Sequence, residues 1–340
     1  MKKIISFILT LIIFSLCALS SFALDINESE KRVFENDDTT LPYRLILPET
    51  YDDSKTYPLL VFLHGAGERG NDNELQFKNC VQNIANKLAE CIILAPQCPV
   101  DEQWVDTPWA NGAYSIENVP ESNELKALMQ LLDSLQEEFS IDRDRIYTSG
   151  LSMGGFGSWD LMMRHNDYFA AGIIVCGGGD VSQAEALKDT PLFVFHGNAD
   201  GTVPVSGSKN VVQAIKDAGG ELVTYVEYDQ ADHGIWNTAF EHEGLFTQLL
   251  TYKLTDRYPD IFKEEEPVSS EISSEISSDI VESEPVSSET SSDDVVSDVT
   301  SSEITVDKDD KGFDFAFLIP VIAAVVIAVA VVVLVVKKKK

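Results

Sequence analysis

Six short β-rich runs, Leu59–Leu63, Cys91–Ala95, Ile146–Ser149, Gly172–Cys176, Leu192–His196 and Leu222–Tyr228, most of them continuously apolar, alternate with stretches of helical periodicity through the middle of this chain. A strand that lacks polar alternation is buried on both faces, and such strands belong to parallel sheets with helices above and below. Between the runs, Leu125, Leu128, Met129, Leu132 and Leu135 form one stripe on a helix spanning Leu125–Phe139, and Val211–Ala218 repeats the pattern. The alternation predicts an α/β fold with a mainly parallel sheet and helices on both faces. Lys31–Asn36 and Tyr43–Leu47 are expected to add antiparallel edge strands.

The two ends of the chain have another character. Lys2 and Lys3 precede an uncharged run from Ile4 to Leu24 that closes on Ser21-Phe22-Ala23, so residues 1–23 are expected to be a signal peptide, with an uncleaved anchor as the alternative. Phe315–Val336 is 22 residues without a charge, followed by Lys337–Lys340. That length spans a hydrocarbon core, so a C-terminal transmembrane helix over 315–336 and a cytoplasmic lysine tail over 337–340 are expected. Residues 264–314 carry Ser-Ser-acid units, and Glu264–Lys311 holds 16 acidic and 2 basic residues. Such a segment repels itself and has little apolar surface, which predicts a disordered stalk. The expected arrangement is a single-pass protein of the cell membrane whose body, residues 24–263, faces outward.

The whole chain has a formal net charge of −31, and residues 24–263 alone carry 17 basic against 39 acidic groups. This surface repels a polyanion, so no nucleic-acid partner is expected. Cys80, Cys91, Cys98 and Cys176 lack the spacing of a zinc site; Cys91 could pair with Cys98 or Cys80, or all four could be free buried thiols. With no His-Glu-x-x-His and no dinucleotide fingerprint, neither a metal nor a cofactor is expected.

Chemistry in such a sheet belongs at the C-terminal strand ends. One run leads into Gly150-Leu151-Ser152-Met153-Gly154 and then a helix expected to start near Phe156, a turn that would hold Ser152 outward at a helix N-terminus. A serine hydroxyl needs a base to take its proton, and an imidazole needs an anion behind it. His233 follows the last run, and Asp200 follows the run ending at His196, giving the order Ser, Asp, His. Asp180, Asp229 and Asp232 compete with Asp200; Asp180 is the stronger rival, whereas Asp232 adjoins His233 on extended backbone and points away from it. His64 and His196 read as structural histidines at strand ends, and His165 and His242 lie in helical contexts. The glycine-rich Leu63-His64-Gly65-Ala66-Gly67-Glu68-Arg69-Gly70 follows an early strand, so the amides of Met153 and Ala66 are the expected oxyanion hole.

Taken together, Tyr57–Gly70, Ala95-Pro96-Gln97-Cys98-Pro99, Gly150–Gly157 and His196-Gly197-x-x-Asp200 resemble the α/β-hydrolase superfamily across almost the whole body. They are similar to secreted esterases of the polyhydroxybutyrate-depolymerase and feruloyl/acetylxylan-esterase kind, and also to prolyl-oligopeptidase-like and phospholipase/carboxylesterase hydrolases. The resemblance implies an α/β-hydrolase fold, Ser152 as nucleophile, Asp200 as acid, His233 as base, and Ala66 with Met153 as oxyanion hole.

The long turn-rich insertion Asp101–Asn123 carries Trp104, Trp109 and Tyr114. Its aromatic faces suit sugar rings or aryl acids, so Trp104 and Trp109 are the candidate substrate-binding residues, with packing of the loop as the competing role. Arg69 is expected in an internal ion pair with one of the nearby acids. The function expected is a membrane-anchored extracellular serine hydrolase cleaving carboxylic esters, acyl esters on plant polysaccharides among them. A serine peptidase, or a non-catalytic surface binding module on the same fold, is the alternative.

Overall fold

The computed structural model describes residue 26 and residues 29–263. The expected signal peptide, stalk, transmembrane helix and lysine tail lie outside the described residues. Among the described residues no helix is long and apolar enough to cross a membrane.

Eight strands form one sheet: β1 (Lys31–Glu35), β2 (Thr40–Ile46), β3 (Tyr57–Leu63), β4 (Ile92–Pro96), β5 (Ile141–Leu151), β6 (Ala171–Val175), β7 (Leu192–Gly197) and β8 (Val223–Tyr228). Their spatial order is β1-β2-β4-β3-β5-β6-β7-β8. From β4 to β8 all neighbours pair in parallel, while β2 is antiparallel to both β1 and β4. Of the two early strands only β1 is at the edge; β2 is an interior strand, which fits its six consecutive buried residues. β5 starts five residues before the apolar run, at Ile141, which pairs with Tyr57 of β3 ahead of a register shift; Asp142 and Arg145 form an ion pair at 2.6 Å on the half-exposed stretch between.

Successive side chains of β3 alternate between two cores, as the strand period of two requires. Leu59, Val61 and Leu63 join the core covered by α2 (Asn123–Glu138), α3 (Met153–Arg164) and α5 (Ser206–Asp217). Leu60 and Phe62 join the other, covered by α1 (Val81–Lys87), α6 (Trp236–Phe240) and α7 (Leu245–Leu249). A short α4 (Ala184–Leu187) packs beside α5 on the first face.

The helix after Ser152 starts at Met153, three residues before the expected position. Glycines at 154 and 155 read as loop in a sequence, but here close packing requires them inside the helix. A Cβ on Gly154 would lie 2.0 Å from Leu63 O, and one on Gly155 would lie 2.7 Å from Val175 O. The four described cysteines are buried and free, so neither disulfide pairing is present among them, and burial pushes the Cys80 and Cys91 thiols up to about 12.

Candidate active site

Ser152 caps α3 with φ 55° and ψ −120°, a strained conformation for a residue with a Cβ. The strain is held from both sides. Its amide donates to Val175 O at 2.8 Å, and its carbonyl accepts from Gly155 and Phe156. This fixes Oγ above the sheet at the positive end of a twelve-residue helix.

β7 and β8 deliver the other two groups. His233 Nε2 is 2.7 Å from Ser152 Oγ, and His233 Nδ1 is 2.7 Å from Asp200 Oδ2. Three side chains separated by 33 and 81 positions therefore form one unbroken hydrogen-bonded line. The His233 ring is edge-on to Trp236 at 5.1 Å, and its carbonyl lies 3.6 Å from the Cys176 thiol. An imidazole with an anion on one nitrogen and a hydroxyl on the other can accept a proton from that hydroxyl.

The Asp200 side chain is fully buried. Burial alone would raise its pKa, but donors from His196, His233, Val203 and Thr202 more than offset it and hold the carboxyl well below the usual carboxylate range. Oδ1 accepts the Thr202 and Val203 amides at 2.8 and 2.9 Å, while Oδ2 takes His233 and, at 3.2 Å, His196 Nε2. Its rivals are engaged elsewhere. Asp180 accepts the Ile116 and Ser182 amides, Asp229 accepts from Asn198, and Asp232 accepts the Gly234 amide.

Across the cleft, Gly65 is extended (φ −81°, ψ 176°) and leads into a 3-10 turn at Ala66–Glu68. A Cβ on Gly65 would fall 3.5 Å from Ser152 Cβ and 3.1 Å from Glu68 Oε2, so this backbone lies directly beside the serine. Glu68 is buried, its carboxyl pushed up by burial, and it accepts from Asn79 at 2.7 Å. Arg69 is not in the expected ion pair: Nε donates to Ala66 O and Nη1 to Glu102 O, tying the glycine-rich turn to the insertion. His64 is structural, as expected. Its Nδ1 is 2.7 Å from Gly65 O and its Nε2 accepts the Cys98 amide at 2.9 Å, and burial lowers its pKa to about 4.

The insertion separates the two tryptophans. Trp104 is fully buried, with Nε1 donating to His64 O at 3.1 Å, so the expectation that it binds substrate is corrected: it fastens the loop to the end of β3. Trp109 is half-buried and lines a recess of about 440 Å³ with Gln103, Asp106, Thr107, Pro108 and Ala110. Further ties run from Tyr114 to Asp160, from Ile116 to Asp180 and from Val119 to Arg164. The sequence does not reveal that Asp180 anchors this loop or that His196 touches Asp200, because both contacts are tertiary.

One group of metal-ligand type occurs among the described residues: Cys176, His196 and Asp200, with their donor atoms within 4.8 Å of one another. The donors do not fit an ion. Both Asp200 oxygens already accept hydrogen bonds, and burial pushes the Cys176 thiol far up, whereas a thiolate is needed for ligation.

A strand-turn-helix serine, an acid after β7 and a histidine after β8 on this sheet order define an α/β hydrolase. Residues 50–250 match the phospholipase/carboxylesterase family, and the chain belongs to it. Of its relatives, a probable feruloyl esterase C from Aspergillus terreus is 28% identical over 171 residues, covering 48% of this chain and 57% of its own. A bifunctional acetylxylan esterase/xylanase from Neocallimastix patriciarum is 26% identical over 144 residues, covering 42% and 19%. The crystal structure of a thermostable esterase superposes with a TM-score of 0.60 at 35% identity, covering 68% of this chain and 64% of that one. The chain thus spans less than two thirds of the length of each of these three proteins.

Proposed function

We propose that this protein hydrolyses carboxylic esters through an acyl-enzyme, with Ser152 as nucleophile, His233 as base, Asp200 as orienting acid, and the Ala66 and Met153 amides as oxyanion hole. The observation that carries the reading is the pair of 2.7 Å contacts joining Ser152 to His233 and His233 to Asp200. In the first half-reaction His233 Nε2 takes the Oγ proton while Oγ bonds to the acyl carbon. The carbonyl oxygen becomes the oxyanion. Its collapse breaks the ester C–O bond, and the alcohol leaves with the proton from His233. Water then repeats the sequence on the acyl-serine, losing its proton to His233, and the carboxylic acid is released. General-base assistance is worth about 10²- to 10⁴-fold, and each oxyanion donor about 3 kcal/mol.

Acyl esters carried on plant polysaccharides are the substrate class this reading favours. Its support is kinship with proteins named for feruloyl and acetylxylan esters, together with the half-buried Trp109 on the recess in the insertion. The reading includes an exported body held at the cell membrane by residues 315–336, supported by that uncharged run, the four lysines after it and the leader-like residues 1–23.

The test is a paired assay of the full chain on acetyl, feruloyl and longer acyl esters and on short peptides. Ester turnover well above peptide turnover is expected. Peptide cleavage without ester turnover would replace the esterase reading with a peptidase one, and silence on both classes would leave a binding module.

A further inference from the structure

His196 is the last residue but one of β7, is completely buried, and takes no direct part in the proton path from Ser152. Every polar atom around its ring is nevertheless accounted for. Nε2 is 3.1 Å from Val203 O and 3.2 Å from Asp200 Oδ2. Both are pure acceptors, one a carbonyl and the other a carboxylate already taking His233, so Nε2 must carry a hydrogen. On the other side Nδ1 is 2.8 Å from Ser208 Oγ, and that same Oγ is 2.7 Å from Gly177 O. A hydroxyl has one hydrogen, and a carbonyl can only accept, so the Ser208 proton goes to Gly177 O. The contact from Nδ1 to Oγ is then attractive only if Nδ1 also carries a hydrogen. Either neutral tautomer leaves two lone pairs facing each other inside the protein, at a cost buried polar groups rarely bear.

We infer that His196 is an imidazolium paired with Asp200, a positioning residue that pins the acid from behind and cancels much of its charge at His233. The inference rests on the reading of Asp200 as the acid of the hydrolase and adds a second cationic partner to it. Its chemical purpose follows from the order of groups. A lone buried carboxylate against His233 would favour the protonated imidazole and leave less free base for Ser152. With His196 holding a positive charge on the same oxygen, Asp200 still fixes the His233 tautomer, yet its pull on a second proton is reduced.

The surroundings agree with one buried cation matched by one anion. From β6 the neighbour is the Cys176 thiol, kept neutral by burial. From α5 it is Ser208, and Lys209 beside it is spent on Glu227 at 3.0 Å. From β8, Glu227 stands opposite His196 in the ladder but turns its carboxylate to Lys209 and Tyr225. Beyond Asp200 lies His233 itself, and Asp232 on that loop accepts the Gly234 amide.

The experiment is side-chain nitrogen NMR on the full chain labelled at its 5 histidines, with the His196 signals assigned by their loss in His196→Gln. Both ring nitrogens of His196 are expected in the protonated form at neutral pH; a lone-pair nitrogen on that ring would overturn the inference. If His196→Gln does not fold, Ser208→Ala assigns the ring, because it perturbs Nδ1 alone. In the folded His196→Gln protein the amide keeps a donor toward Asp200 without the charge, so the acid limb of the kcat/KM profile should move to higher pH. A limb that stays in place, whatever the rate, also overturns it. The NMR readout does not need turnover, so an inert protein with a doubly protonated His196 would remove the hydrolase reading and leave the ion pair standing.

Discussion

Gly154 lies so close beneath the end of β3 that a methyl in place of its hydrogen would sit 2.0 Å from Leu63 O. A contact that short with backbone cannot be relieved by a rotamer change, so α3 must withdraw from the sheet and carry Ser152 with it. Gly154→Ala is expected to lose folded protein or, where it folds, essentially all ester turnover. A circular dichroism melt with an activity assay checks this; a variant that melts and turns over like the parent would refute the packing account.

Asp200 and Asp180 both follow parallel strands, but only Asp200 faces His233. Asp200→Asn presents the wrong tautomer to the base, and kcat is expected to fall by about 10⁴-fold. Asp180→Asn weakens the hold on Ile116 and is expected to change KM more than kcat. Steady-state kinetics on an aryl ester separate the two.

Ala66 opens its 3-10 turn after an extended Gly65, backbone that tolerates proline at this position. Ala66→Pro removes the amide hydrogen while the turn is kept. The expected result is a kcat lower by about 10²- to 10³-fold with an unchanged melting temperature. Full activity in a folded variant would move the oxyanion donor elsewhere.

His64 sets a pH dependence of stability. Its folded pKa, about 4, lies below its unfolded value, so between the two the unfolded chain binds a proton that the native protein does not. Stability is therefore lost as pH falls from about 6.5 toward 4, by about 3 kcal/mol for this group. Urea titrations of the parent and His64→Gln across that range should show a steeper acid loss in the parent. Equal slopes would contradict the assignment.

The two tryptophans of the insertion are predicted to separate by measurement. Trp104→Ala empties a fully buried site and should cost about 3–5 kcal/mol of stability. Trp109→Ala should leave stability nearly intact and raise KM for aryl esters above that for acetyl esters.

Much of this architecture was legible because strand burial and helix stripes are written in local periodicity. All six β-rich runs became strands, and the serine, acid and histidine sit at the ends where parallel topology puts chemistry. Three features were hidden for physical reasons. The first half of β5 carries the charged Asp142, Arg143, Asp144 and Arg145 between the Ile141–Tyr57 pairing and the apolar run, a register shift that no apolar pattern reports. The start of α3 was obscured by Gly154 and Gly155, required there by their distance to neighbouring strands. Trp104 and Trp109 look alike in a turn-rich insertion, and only the His64 carbonyl beneath one of them sets their roles apart.

The most direct test of the central claim is covalent trapping of the full chain with a fluorophosphonate, followed by peptide mass spectrometry. One adduct is expected, on Ser152, formed at a rate that collapses in His233→Gln and absent in Ser152→Ala. Labelling that persists in Ser152→Ala, or no labelling of the folded parent, would contradict it.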